Sequence, residues 1–385
     1  MALLPPSVKK AMSEHRRFLH AHPEVGILLP KTHEYIAKAL RSLGLDVEMV
    51  PGAGVSARIT GSDSSLTPIV FRADMDALPI DEGIKSDFRS ITPGAMHACG
   101  HDLHMATLLG VAQDLIANPP MRDVVLAFQP GEESDRGARE TLKHENLHID
   151  HAETFAIHVN AVLPPGDIAY SRGVFMAFGD WFSLEIQGPG GHASAPERAG
   201  NPIQFGALFE EGLVSLAYDL STEKQRVVGT VTEFLSGNTV NVIPTEGSLR
   251  GTLRTVSLGQ REVLHREMHK LTEELSARLG LSGQLTITEG YPAVVSHPDF
   301  IEQFIQTATR HGYGSNLQEM SHPSMVIEDF SYFLERWPGA MVYVGAAIGD
   351  QPAFNHSAIA QFDERAMETA FGLFRMMAPA AAAPG

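Results

Sequence analysis

Residues 68–76, PIVFRADMD, form a short apolar run that closes on two aspartates. Downstream, HMATLLGVAQDLIAN (104–118) reads as a helix, and VVLAFQP (124–130) is a second apolar run. Working outward, LDVEMV (45–50), VSARIT (55–60) and FAIHV (155–159) have the same strand-like character. Strands alternating with helices predict an α/β layered core. Upstream, residues 7–43 read as helical with a break around HPEVG, and Gly44 is a natural stop.

A second pattern starts near Trp181. DWFSLEIQG (180–188) alternates as a strand, and NPIQFGALFEEGLVSLAYDL (201–220) reads as a helix. RVVGTVTEFLSG (226–237) and EGSLRGTLRT (246–255) read as strands, LGQREVLHREMHKLTEELSARLG (258–280) as an amphipathic helix, and QLTITEGYPAV (284–294) as a strand. That order, strand–helix–strand–strand–helix–strand, predicts a ferredoxin-like α/β sandwich. Core-type segments resume after Pro298, so the sandwich is an insertion. The expected division is a catalytic metal-binding domain of residues 1–179 and 294–385, with an inserted domain of residues 180–293.

Composition narrows the function. The chain has 385 residues, 43% of them hydrophobic, which is enough for a large core. It carries 46 acidic against 29 basic residues, a net charge of −17, which would repel a phosphate backbone and argues against nucleic acid as partner. Cys99 is the single cysteine, so no intramolecular disulfide can form and a reducing, cytoplasmic setting is expected. The first twenty residues do not have the form of a secretory signal, and no apolar run reaches membrane-spanning length. The tail APAAAAPG (378–385) is low in complexity.

Histidine is unusually abundant, with 18 copies, so position must decide which matter. Five stretches stand out, four of which place Cys, His or Glu just after an apolar run: FRADMDALP (71–79), MHACGHDLH (96–104), FQPGEE (128–133), AIHV (156–159) and FNHSA (354–358). In an α/β sheet the loops beyond the strand C-termini form the binding crevice, so these residues can converge. Cys99 and His101 are strong ligands for borderline metals. Alone, such a pair is more often a buried thiol beside a helix-capping histidine; its company reverses that reading. Neighbouring side chains in extended backbone point opposite ways. One of Glu132 and Glu133 can therefore ligate while the other serves as a base. Against this, the pair alone would read as a solvated acidic turn, His158 as a satisfied core residue, and His356 as surface. Cys99, His101, Glu133, His158 and His356 together offer five N, S and O donors, more than one tetrahedral zinc uses, and suggest two ions.

Competing chemistries fit less well. A Cys99 nucleophile with His97 or His101 leaves the glutamate pair, His158 and His356 without work. GPGGHAS and PGAGVSAR match neither a phosphate loop nor a dinucleotide fingerprint, and GxSxG is absent.

RRFLHAHPEVG, RADMDALP, MHACGHDLHMA, FQPGEE, GPGGHASAPE, NVIP, GTLRT and EDFSYF occur in this order from about Arg16 to Phe362. In this the chain resembles the metallo-amidohydrolases of the aminoacylase, carboxypeptidase G and hippurate hydrolase superfamily. Within it, the resemblance is to the hippurate hydrolase and indole-acetyl-amino-acid hydrolase branch. The resemblance implies a zinc-peptidase-like α/β catalytic domain, an inserted lid that also dimerises, and two divalent ions; the mixed Cys, His and Glu donors suit zinc, with manganese or cobalt able to substitute. It implies metal ligation by Cys99, His101, Glu133, His158 and His356, and Glu132 as general base. Asp76 would be a carboxylate orienting a ligand histidine, and His192 would bind the scissile carbonyl oxygen. Asn241 and Arg254 would hold the substrate, including its carboxylate.

The chain departs from that pattern at Glu197, Val326, Ile327, Ala358, Leu29 and Pro30. None of these removes a ligand or the base; they bear on substrate preference. The expected activity is hydrolysis of N-acyl amino acids, hippurate-like or N-acetyl, to a carboxylic acid and an amino acid by a water activated between two cations. A dipeptidase or amino-acid-precursor deacetylase with the same machinery is the alternative, and a non-catalytic metal-binding scaffold is the distant one. A homodimer is expected.

Overall fold

In the computed structural model, which describes residues 4–133 and 137–380, Ile69–Asp74 is a strand in which every residue is buried. It pairs in parallel with Val124–Gln129 on one side and with Glu153–Asn160 on the other. Gly339–Gly345 continues the parallel run beside Glu153–Asn160. Val, Ile, Leu and Phe dominate these strands because both faces of the sheet are covered. Antiparallel Gly54–Ile59 and Val47–Val50 extend one side. Ile168–Tyr170 and Leu317–Glu319 complete an eight-stranded mixed sheet at the other.

The helix His101–Ala117 crosses between Ile69–Asp74 and Val124–Gln129 and is buried along nearly all its length. Pro6–Ala21 and Arg365–Met377 pack against it. Leu19, Ile36, Phe71, Leu108, Phe128, Phe155, Phe304 and Phe374 belong to one contiguous apolar core. The helices Pro6–Ala21 and Pro30–Ser42 flank the expected break at HPEVG.

By its internal contacts the chain divides into two units. One comprises residues 1–175, 294–320 and 328–385, the other residues 176–293 and 321–327. Set beside the sequence-based division at residues 180–293, this grouping also places residues 176–179 and 321–327 with the inserted unit. The cause is local: the Ala177 N–H lies within hydrogen-bond distance of both Ser324 O (3.0 Å) and Val326 O (3.1 Å), tying this segment to the start of the inserted unit.

The inserted unit has a four-stranded antiparallel sheet in which Ser282–Tyr291 and Glu246–Thr255 flank Phe178–Gln187, and Val228–Ser236 is the outer neighbour of Glu246–Thr255. Numbered along the chain, the spatial order is 4-1-3-2, the ferredoxin-like arrangement expected from the element order. Helices Pro202–Leu220 and Leu258–Leu279 pack against it through Phe205, Phe209, Leu213, Leu264, Met268 and Leu275. Side-chain caps start both: Asn201 Oδ1 accepts from the Ile203 N–H, and Ser257 Oγ from the Gln260 N–H. The last five residues of the low-complexity tail lie outside the described residues, and no described helix is long and apolar enough to cross a membrane.

Candidate functional site

The parallel strands run the same way, so their C-terminal ends share one edge, and the ligand-type residues of the first unit lie there. Cys99 immediately precedes the helix His101–Ala117, separated by Gly100 at φ +90°. A Cβ at Gly100 would stand 2.3 Å from Val159 Cγ2, so only glycine permits this turn. Cys99 Sγ lies 3.4 Å from His158 Nε2 and 3.2 Å from His356 Nε2. His356 Nε2 is 3.1 Å from Glu133 Oε1, and His101 Nε2 is 3.9 Å from that same oxygen. Two triads of donors result, Cys99 with His101 and His158, and Cys99 with Glu133 and His356, each with its donor atoms within 4.8 Å of one another. Five residues from four sequence-distant segments thus meet, as five donors for two ions require.

Hydrogen bonds fix which nitrogen faces the cluster. His101 Nδ1 donates to Asp76 O at 2.8 Å, and His158 Nδ1 donates to Val159 O at 2.8 Å. A carbonyl can only accept, so both Nδ1 atoms carry the proton and both Nε2 atoms present lone pairs. His101 Nε2 is fully buried and has no hydrogen-bond partner among the described residues. An orphaned buried acceptor costs about 1–3 kcal/mol, which a bound cation would remove. Burial lowers the pKa of His101 and His158, keeping both in the neutral form that ligates. Burial pushes the Cys99 thiol up, and the Glu133 and Glu132 carboxylates push it further; a cation in contact would reverse that. This donor set fits divalent metal.

Asp76 meets His101 through both its main chain and its side chain. Its carboxylate is 3.8 Å from His101 Nδ1, and its main-chain carbonyl accepts the ring N–H at 2.8 Å. The carboxylate oxygens accept the N–H groups of Glu132 and Glu133, at 3.0 Å each. Residue 76 lies beyond the strand end, so its main chain is available for bonds that a ladder would consume. Glu132 is buried, and burial, then the Glu328 carboxylate, holds its carboxyl well above the usual range.

Sequence reasoning missed a layer of charge beneath the cluster. Arg72 is buried in the strand Ile69–Asp74 and pairs with Asp74 (2.6 Å), Glu328 (2.9 Å) and Asp329 (3.1 Å). Its Nε donates to Gln129 Oε1 at 2.8 Å. Asp74 Oδ1 accepts from His104 Nδ1 at 2.5 Å, and His104 Nε2 accepts the Val159 N–H at 2.9 Å. Asp74, His101 and His104 are close enough to hold an ion, but both His104 nitrogens are engaged, which leaves it a structural link. Burial raises Glu328 to about 8 even with Arg72 alongside. One signal could have exposed this layer: an arginine inside an apolar strand requires buried carboxylates, and RADMD and EDF supply them.

In the inserted unit, His192 and Asn241 are brought together. Gly191–His192 pairs with Val242–Ile243, and the Ala193 N–H donates to Asn241 O. His192 Nδ1 accepts the Ser194 N–H at 3.1 Å, so the proton sits on Nε2 and the exposed ring offers a donor. Arg254 stands apart from them on Glu246–Thr255, with Nη1 donating to Leu253 O and Thr252 Oγ1. Among the described residues it has no carboxylate within ion-pair distance.

The chain belongs to peptidase family M20/M25/M40, whose model matches residues 70–379. It is 32% identical over 369 residues to N-acetylcysteine deacetylase of Bacillus subtilis (strain 168), covering 94% of each chain. It is 31% identical to N-acetyldiaminopimelate deacetylase of Streptococcus sanguinis (strain SK36), covering 91% of this chain and 93% of that one. Its fold matches the crystal structure of Bacillus subtilis YXEP protein, a dinuclear metal binding peptidase from the M20 family. The TM-score is 0.83 at 29% identity, over 97% of this chain and 98% of that one. The protein is accordingly an amidohydrolase of this family.

Proposed function

We propose that the protein cleaves the amide bond of N-acyl amino acids, releasing a carboxylic acid and an amino acid. The observation that carries this reading is the glutamate pair after Val124–Gln129. Glu133 meets the Cys99 and His356 donors while Glu132 is buried beside it, and one carboxylate, Asp76, holds both main-chain N–H groups.

Cys99, His101, Glu133, His158 and His356 would hold the ions. Mixed thiolate, imidazole and carboxylate donors suit zinc, with manganese or cobalt able to replace it. Bound there, divalent ions supply Lewis acidity that polarises the amide carbonyl and makes water a competent nucleophile at neutral pH. Glu132 takes the proton of the attacking water and hands it to the leaving nitrogen. His192, through its Nε2–H, donates to the developing oxyanion, with Asn241 beside it as a second polar contact. Arg254 offers a guanidinium fork to the substrate's free carboxylate.

Two relatives are named as deacetylases of N-acetylated amino acids, which supports acetyl as an acyl group; benzoyl substrates of the hippurate kind belong to the same proposal. The second reading, an amino-acid-precursor deacetylase or dipeptidase, draws on the same likeness. A panel of N-acetyl and N-benzoyl amino acids and dipeptides, followed by release of the free amino acid, tests both. Cleavage of several N-acyl amino acids above the dipeptides supports the first reading; one N-acetyl precursor alone, or dipeptides alone, would transfer the assignment to the second.

The inserted unit is also proposed as a dimerisation surface. Val228–Ser236 is an edge strand with exposed Phe234 and Leu235, and such an edge needs cover. A monomer by light scattering at micromolar concentration would refute this.

A further inference from the structure

Asn355 precedes His356 in the sequence, and its side chain reaches well beyond its own loop. Nδ2 donates to Cys99 O at 3.2 Å and to Val159 O at 3.1 Å, and Oδ1 accepts the Ala161 N–H at 3.0 Å. Two amide hydrogens meet two carbonyls and one oxygen meets one N–H, so the partners fix the orientation; a flipped amide would set oxygen against both carbonyls. Nδ2 also lies 3.9 Å from Cys99 Sγ. Val159 O is the atom that takes the His158 Nδ1 proton, so the amide and the imidazole share one anchor.

The next residue shows why such an anchor is needed. His356 has φ +68°, the one positive φ outside glycine among the described residues. A side chain held there is strained and persists only where surrounding bonds over-determine it. The His356 N–H donates to Ala98 O at 2.9 Å, and the Asn355 amide clamps the preceding residue to Cys99 and Val159. Released from both, the loop would relax toward negative φ and carry His356 Nε2 away from Cys99 Sγ and Glu133.

We propose that Asn355 is a positioning residue of the metal centre, in which one amide laces together the segments bearing Cys99, His158 and His356 and sets their donor atoms at the spacing two ions need. This rests on the ligand assignment proposed above. Asn355 touches no reacting atom and acts through the three ligands. Outer partners of this kind are worth roughly 10–100-fold in metal affinity.

The test strips wild type, Asn355→Ala and Asn355→Asp with chelator and titrates each with cobalt(II). Bound ions per chain and the thiolate-to-cobalt absorption band are read, beside thermal unfolding of the metal-free forms. Wild type should take up two ions and show the band. Asn355→Ala should bind roughly 10–100-fold more weakly, with a diminished and shifted band, while its metal-free melting temperature changes little. Asn355→Asp keeps the acceptor for Ala161 and loses both donors, so it should share the defect; it also decides the matter if Asn355→Ala does not fold. Wild-type affinity and band in the variants would overturn the proposal, as would a fall in metal-free stability with unchanged metal binding. A wild-type protein that binds no cobalt and shows no thiolate band would instead refute the ligand assignment and remove this inference with it.

Discussion

The main-chain carbonyl of Asp76 accepts the Nδ1 proton of His101 at 2.8 Å, leaving the opposite nitrogen buried and without a hydrogen-bond partner among the described residues. That relationship turns a histidine at the start of a helix into a ready ligand. Around it stand Cys99, Glu133, His158 and His356, with Glu132 beside the cluster.

Metal removal should therefore abolish turnover. Prolonged chelation followed by desalting is expected to give inactive protein, and zinc, manganese or cobalt should restore the rate, with a metal content near two per chain. Cys99→Ser should lower metal content because an alcohol is a far poorer ligand than a thiolate. Full activity in demonstrably metal-free enzyme would contradict the assignment.

The two glutamates should separate cleanly. Glu132→Gln is expected to keep metal and substrate affinity while losing roughly 10²–10⁴-fold in kcat, the contribution of a positioned base. Glu133→Gln should lose metal as well, since its carboxylate is within 3.1 Å of His356 Nε2. Metal analysis beside steady-state kinetics reads both, and two variants that keep metal and rate would disprove the division of roles.

Arg254 and His192 should differ in what they change. Arg254→Ala is expected to raise KM for a substrate with a free carboxylate and to matter little for the matching amide. His192→Ala should depress kcat more than it weakens binding, because its hydrogen bond strengthens as charge develops on oxygen. Kinetics on one acid–amide pair measures both; equal losses on acid and amide would show that Arg254 does not read the carboxylate.

Stability should fall as pH rises through the titration of His20. Burial would lower its pKa, but Asp102 at 3.0 Å and Glu82 at 3.3 Å reverse this and raise it from 6.5 to about 9. A pKa raised on folding stabilises fully below the unfolded value, so the contribution is present below pH 6.5 and lost as pH climbs through about 9. At about 1.4 kcal/mol per pKa unit it is worth roughly 3 kcal/mol. Denaturant unfolding of wild type and His20→Gln at pH 6 and pH 9.5 should show the larger loss in wild type. Parallel losses would show that His20 is not charged in the fold.

Much of the architecture was legible along the chain. Apolar runs closing on Asp76, Glu133 and near His158 marked the buried strands, because a strand covered on both faces must be apolar throughout. Alternation in DWFSLEIQG and EGSLRGTLRT marked strands with one face on the insertion's core. Cys99, His101, Glu133, His158 and His356, whose donor atoms the fold brings together, stood out as candidates because few residue types bind metal and ordered motifs gave each its neighbours. Tertiary structure alone decided what surrounds them. Asp76 serves through its carbonyl and pins two main-chain N–H groups, a distinction between backbone and side-chain atoms that residue identity does not carry. Arg72 finds Glu328 and Asp329 some 256 residues away, and Asn355 finds Cys99 and Val159 across 256 and 196 residues. Those pairings exist because the sheet brings distant strand ends to one edge, and buried polar groups there must satisfy one another where water is excluded.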